Sequence, residues 1–185
     1  ITIEDDVLKN FDAVIATGGD NTSRYFEYYF GKYPHIIRKN RASVAVLSGN
    51  ETKEELSLLA DDIYTYFGLG CRNVSKIYLP EKYDIRHLIA HFEDYKYLIN
   101  HHKYANNYEY RKSIYLLNKA DHLDNGFTIF KQDKALHSPI AVIYFDFYKN
   151  SHKLYHQLKN ESDKIQCIVS HKDSIKDSVE FGKTQ

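Results

Sequence analysis

The sequence contains no methionine and no tryptophan, has only two cysteines and three prolines, and shows no excess of either charge. Each shortage excludes something. Lysine plus arginine number 25 and aspartate plus glutamate 25 among 185 residues, so with ten neutral histidines the formal charge is zero. That balance excludes a polybasic nucleic-acid binder and an acidic interaction tail. Cys71 and Cys167 are too few for a disulfide framework and fit free thiols in a reducing compartment. The longest apolar run, Ile140 to Phe145, is far too short to span a bilayer. The chain opens Ile1-Thr2-Ile3-Glu4-Asp5-Asp6, with no initiating methionine and neither region of a signal peptide. The expectation is an excised piece of cytoplasmic origin, with no membrane span and no nucleic-acid partner.

What remains is ordinary globular material. Hydrophobic residues make up 43 % and charged residues 27 %, enough for a core that buries roughly 70 % of the unfolded chain's surface. No repeat, low-complexity segment or linker marks a boundary, so residues 1–185 read as one domain. Asp12 to Thr17 forms a short β-prone run ending at Gly18-Gly19, and Asp20-Asn21-Thr22-Ser23 offers N-cap side chains for a helix from about Ser23 to Phe30, stopped near Gly31. Ser43 to Ser48 reads as a buried strand. Thr52 with Glu55 fits a capping box, and the helix behind it carries Leu56, Leu59, Ala60, Ile63 and Phe67 on one stripe before Gly68-Leu69-Gly70. Val74 to Leu79, closed by Pro80, is a third strand. A helical region rich in tyrosine and histidine runs from Tyr83 to about Asn118, followed by strands at Phe127–Phe130, Ile140–Phe145 and Ile165–Ser170 and a short helix at Lys153–Lys159. Continuous apolar strands alternating with amphipathic helices predict an α/β fold with a mainly parallel sheet and helices on both faces.

Two stretches have the composition that chemistry requires. In Ala16-Thr17-Gly18-Gly19-Asp20-Asn21-Thr22, a strand runs through a glycine turn into a helix N-terminus, where exposed amides and the helix dipole favour a phosphate. The pattern is neither GxGxxG nor a Walker loop, and a well-capped turn explains it equally well. In Phe67-Gly68-Leu69-Gly70-Cys71-Arg72-Asn73, flanking glycines would open a thiol to an incoming carbonyl and Arg72 would favour a thiolate, while the negative end of the preceding helix would oppose it. A buried cysteine acting as a small hydrophobe is the competing reading, and it suits Cys167 within Ile165–Val169 better. His87 and His91 have the spacing of paired zinc ligands, but Leu88 stands where a metalloprotease helix needs glutamate. The tyrosines from Tyr95 to Tyr115, with His101 and His102, suit either a ligand groove or a helix contact.

Three segments in this order resemble the bacterial acyl-CoA reductase family, the reductase component of the fatty-acid reductase system of bioluminescence, within the aldehyde dehydrogenase superfamily. They are Phe11 to Phe26 around Thr17-Gly18-Gly19-Asp20; Arg41 to Leu47 leading through a helix to Gly68-Leu69-Gly70-Cys71-Arg72-Asn73-Val74-Ser75; and His137-Ser138-Pro139-Ile140-Ala141-Val142-Ile143. The resemblance covers nearly all of the chain and implies an aldehyde dehydrogenase-like catalytic domain. It implies that Cys71 attacks the thioester of an acyl-CoA or acyl-protein donor, leaving an acyl-cysteine that hydride from NADPH reduces to an aldehyde. Backbone amides around Cys71 would hold the oxyanion. Thr17, Gly18, Gly19, Asp20, Asn21 and Thr22 match the segment that touches the cofactor's pyrophosphate, and a homo-oligomer is implied.

Two positions depart from the superfamily pattern. The glutamate that activates hydrolytic water appears as Arg38, which favours aldehyde formation from a thioester over acid formation. The ribose-binding glutamate appears as Ala135. Most of the cofactor-binding half, with the asparagine that completes the oxyanion hole, would lie upstream, and the end at Gln185 looks premature. The chain alone is therefore expected to be acylated without sustaining hydride transfer. Two rivals stand beside this reading: a cysteine acyltransferase or thioesterase with an unidentified histidine base, and a non-catalytic acyl-binding or oligomerisation module.

Overall fold

A computed structural model of the chain describes residues 11–171 and 174–185, with the backbone but not the side chain of Asp20. The opening stretch from Ile1, read above for its start signals, lies outside the described residues. Where the sequence marks no boundary, the chain forms two compact units, one ending at Asn40 and the other spanning Arg41–Gln185.

The first unit is a single β-α-β turn. Strand β1 (Val14–Thr17) pairs in parallel with β2 (His35–Arg38), Ile15 opposite Ile36 and Ala16 opposite Ile37, and helix α1 (Asp20–Phe30) connects them. The sequence does not signal β2, a four-residue strand with a histidine and an arginine at its ends. Helix α1 begins three residues earlier than expected. Gly19 occupies the N-cap position without a side-chain bond, so Asn21, Thr22 and Ser23 lie within the first turn rather than capping it. Phe11 anchors the base of the unit, its ring 5.7 Å from Phe30 and 4.6 Å from Tyr33.

In the second unit the elements are β3 (Ala42–Val46), α2 (Lys53–Tyr64), β4 (Val74–Pro80), α3 (Ile85–Ile89), α4 (His102–Leu117), β5 (Leu123–Asp124), β6 (Ile129–Gln132), β7 (Val142–Tyr148), α5 (Ser151–Asn160) and β8 (Ile165–Ser170). Its six strands stand in the order β5-β6-β7-β4-β3-β8, and only the β5–β6 pair is antiparallel. Alternation along β3 divides the core. Ala45 and Leu47, just beyond the strand end, pack with Leu56, Leu59 and Ile63 of α2, while Ala42, Val44 and Val46 pack with Leu154 and Leu158 of α5 on the other face. Each fully buried Leu or Ile contributes about 1.5–3 kcal/mol of transfer free energy. Two-sided cover is what continuous apolar strands require, and the predicted α/β class holds.

The caps are legible in the sequence. Thr52 Oγ1 accepts the Glu55 amide at 3.2 Å, and Glu55 Oε2 accepts the Thr52 amide at 2.8 Å, closing the expected capping box. Asn150 caps α5 by accepting the Lys153 amide at 3.0 Å. The tyrosine-rich region is not one helix. It divides into α3, a 3₁₀ segment over Ala90–Asn100 and α4, with His101 extended at the junction. Tyr104, Tyr108 and Tyr115 are buried in the core, whereas Tyr97 and Tyr110 are exposed and Tyr95 and Tyr97 line an open groove with His91. Strand β7 starts two residues later than expected because Ala141 adopts a left-handed φ of 60°. Among the described residues, no helix is long and apolar enough to cross a membrane.

Candidate active site

Cys71 lies in the bend between α2 and β4, three residues before the strand begins. Helix α2 stops at Tyr64, and a 3₁₀ turn over Thr65–Gly68 follows in which Tyr66 (φ 54°), Phe67 (φ 61°) and Gly68 (φ 70°) are all left-handed. Two aromatic residues in that region carry a cost of order 1–3 kcal/mol each, which the surrounding contacts must over-determine.

The determining contact is Asn73. Its buried side-chain amide donates to the carbonyls of Thr65 (2.8 Å), Asp62 (3.1 Å) and Ile63 (3.3 Å), and its Oδ1 accepts the Gly70 amide at 2.8 Å. A Cβ on Gly70 would stand 2.8 Å from that same Oδ1, so the position requires glycine for close approach. The negative helix end that the sequence appeared to aim at Cys71 is thus covered by Asn73.

Cys71 itself is exposed, which answers the competing buried-cysteine reading. Its carbonyl accepts a hydrogen bond from Ser43 Oγ of β3 at 2.9 Å. The Gly70 amide is committed to Asn73, and the Asn73 amide closes on the Gly70 carbonyl at 3.0 Å. The amides of Cys71 and Arg72 have no acceptor among the described residues. They are the two donors free to meet an oxyanion.

Arg72 reaches the C-terminal segment of the chain. Its guanidinium donates to the carbonyl of Thr184, which itself lies against Asp62: the Thr184 amide and hydroxyl and the Gly182 amide all reach the Asp62 carboxylate, at 3.2, 2.7 and 2.7 Å. Burial pushes the Asp62 carboxyl up, against the hydrogen bonds from Thr184 and Gly182. No histidine forms a hydrogen bond or ion pair with Cys71 among the described residues.

Cys167 is half-buried on β8 and bonds Ser43 Oγ at 3.1 Å; burial raises its thiol, opposed by that bond and by Arg72. His87 and His91 meet edge to face, their ring centroids 5.2 Å apart, and among the described residues no group of three metal-ligating side chains forms. Ala135 is exposed, its amide bonded to Asp133.

The other candidate segment belongs to the smaller unit. Thr17 ends β1; its neighbour Gly18 donates its amide to the Arg38 carbonyl at 3.3 Å, and a Cβ there would meet Thr22 Cγ2 at 2.9 Å. At Gly19 a Cβ would meet nothing within 4 Å, and among the described residues no side chain makes a cap bond to α1. Asn21 and Thr22 are exposed in that first turn, and Arg38 is exposed on β2. This donor set suits a phosphate.

Ser43, Asn73, Asp62 and Thr184 are supports that a linear reading does not assign. Ser43 is 28 positions from its partner and Asp62 more than 100 from Thr184. Only the Gly70-Cys71-Arg72-Asn73 spacing gave a local hint, since an asparagine three residues after a glycine can close such a turn.

No protein-family model and no curated protein sequence matches the chain. Solved structures do match in fold. A substrate-bound AldH from Staphylococcus aureus aligns at a TM-score of 0.63 and 11 % identity, over 88 % of this chain and 42 % of that one. Betaine aldehyde dehydrogenase from S. aureus, solved with NAD+, gives 0.62 and 14 %, over 88 % and 40 %. Indole-3-acetaldehyde dehydrogenase AldA of P. syringae, solved with NAD+, gives 0.62 and 8 %, over 89 % and 41 %. The chain therefore spans about two-fifths of the length of these structures. What they share with it is the α/β fold of an aldehyde dehydrogenase catalytic domain.

Proposed function

We propose that the chain is the catalytic part of an acyl-CoA reductase, forming an aldehyde through an acyl-cysteine at Cys71. The observation that carries this reading is an exposed thiol on a clamped bend, beside two backbone amides that have no acceptor among the described residues. The Cys71 thiolate attacks the thioester carbonyl, and the amides of Cys71 and Arg72 stabilise the oxyanion. The tetrahedral species collapses by breaking the bond to coenzyme A, whose thiolate takes up a proton, and the acyl group stays on Cys71.

NADPH, when bound, supplies the hydride that converts the acyl-cysteine to a hemithioacetal. The first-turn amides of α1, with Gly18, Gly19, Asn21 and Thr22, would hold its phosphates, and Thr17 and Asp20 flank that turn. The hemithioacetal then loses its hydroxyl proton, the C–S bond breaks, and the aldehyde departs from the Cys71 thiolate. The residue that stands for the hydrolytic glutamate is Arg38, which cannot act as a base at neutral pH. This favours reduction over release of a free acid. The donor is an acyl-CoA or an acyl-protein thioester, and the active form is a cytoplasmic homo-oligomer.

Intact-mass spectrometry after incubation with acyl-CoAs of graded chain length tests the reading. The wild-type chain gains one acyl mass, and Cys71→Ser gains none. Failure of every acyl-CoA to modify the wild type would overturn the assignment. Rapid appearance of free acid without cofactor would point to a thioesterase instead.

A further inference from the structure

Ser43 occupies an unusual place for a polar side chain. It is fully buried on β3, the strand between β4 and β8, yet its hydroxyl faces neither water nor a secondary-structure ladder. One side of that hydroxyl meets the Cys71 carbonyl at 2.9 Å and the other meets Cys167 Sγ at 3.1 Å. Three elements that are remote in sequence therefore converge on one oxygen: β3, the Cys71 bend and β8.

The proton directions are fixed by what each partner can do. A carbonyl only accepts, so the single hydroxyl proton of Ser43 goes to Cys71. The lone pairs of the hydroxyl remain, and the Cys167 thiol donates to one of them. Burial raises the Cys167 thiol, which keeps its proton in place at neutral pH. The result is a one-way relay from Cys167 through Ser43 to the Cys71 carbonyl.

We propose that Ser43, supported by Cys167, is a positioning residue for Cys71, fixing the Cys71–Arg72 peptide so that the thiol and the two uncommitted amides address one carbonyl together. The inference rests on the reading of Cys71 as the acyl-accepting nucleophile. Asn73 already holds the bend at Gly70 and at the end of α2, and among the described residues Ser43 alone holds the peptide that follows Cys71 from the sheet side. Without that bond, the Arg72 amide turns with its peptide and leaves the line of attack. An error of about 1 Å in such a geometry costs up to on the order of a hundredfold in rate.

The test compares two reagents on the full chain: iodoacetamide, which needs only an accessible thiol, and an acyl-CoA, which also needs the oxyanion donors. In Ser43→Ala, acylation of Cys71 slows on the order of tenfold while carboxamidomethylation is unchanged, so the ratio of the two rates falls. Ser43→Thr keeps the hydroxyl and restores the ratio. Cys167→Ala gives a smaller fall, and Cys167→Ser, which keeps a donor, gives none. A general loss of folding would alter both reagents together and would show in the thermal transition. An unchanged ratio in Ser43→Ala, or failure of Ser43→Thr to restore it, overturns the proposal. Absence of acylation in the wild type overturns the nucleophile reading instead, so the two failures are distinguishable.

Discussion

The two units of this chain obey the same strand rules and reach opposite results. The unit Arg41–Gln185 has a six-stranded sheet with apolar layers on both faces, and β3 is buried at every position. Among its described residues, the unit ending at Asn40 has two parallel strands and one helix. Within it Ile15 is 81 % exposed, Ile36, directly opposite, 55 %, and Tyr28 of α1 83 %. Parallel strands are normally covered on both faces, and an isolated two-stranded sheet is marginal in water. The same β-α-β grammar therefore yields a core with two covered faces in one place and, among the described residues, an exposed apolar face in the other. The number of strands sharing the cost of ordering is what differs.

Substitutions at matched positions test that contrast most strongly. Ile77→Ala, in the core of the larger unit with no exposure, should cost about 2–5 kcal/mol in urea unfolding, from lost transfer energy and the cavity left behind. Ile15→Ala should change stability by no more than about 0.5 kcal/mol. A cost above roughly 1 kcal/mol for Ile15→Ala would mean that another surface covers this face in solution.

Next in size is Asn73→Ala. It strands the carbonyls at the end of α2 and the Gly70 amide, and it should cost about 2–3 kcal/mol with faster amide exchange confined to the Cys71 bend. Exchange rising uniformly through the sheet would contradict the local role of the clamp.

A pH effect follows from Asp133. The hydrogen bond from Lys131, then that from the Ala135 amide, holds its carboxyl below the ordinary carboxylate range against a smaller effect of burial. Because the folded carboxyl ionises more readily than the unfolded one, its contribution is present above the unfolded pKa and lost as pH falls through the folded one. The stability difference between wild type and Asp133→Asn should therefore be constant near neutrality and shrink on acidification. A difference that grows in acid would reverse the assignment.

The smallest effects belong to the glycine turn of the first unit. Gly19→Ala meets nothing and should be neutral to within about 0.5 kcal/mol, whereas Gly18→Ala presses on Thr22 and should cost more. Equal melting temperatures for the two variants would show that the turn relaxes freely.

Local signals were legible where the physics is local. The Thr52–Glu55 box, the stripe of Leu56, Leu59, Ala60 and Ile63, and the apolar runs of β3, β4, β7 and β8 lie within a few residues of their causes. The glycines beside Cys71 indicated an open bend, and the thiol is exposed there. Strand β2 escaped notice because four residues with charged or titratable ends carry no alternation, and its place is set by pairing with β1. The helical region after Tyr83 breaks at His101, where core packing of Phe92 and Leu98 on one side and Tyr104 on the other overrides continuity.

By itself, then, the sequence determined the class of fold, the Thr52–Glu55 cap, the apolar stripe of α2 and the more exposed of the two cysteines, because propensity, periodicity and turn chemistry act over a few neighbouring residues. The tertiary structure alone decided which groups hold that cysteine. Ser43, Cys167 and Thr184 reach the bend across 28 to more than 100 positions of chain. A hydrogen bond depends on distance in space, and strand order, not sequence spacing, brings those donors and acceptors within 3 Å or so of one another.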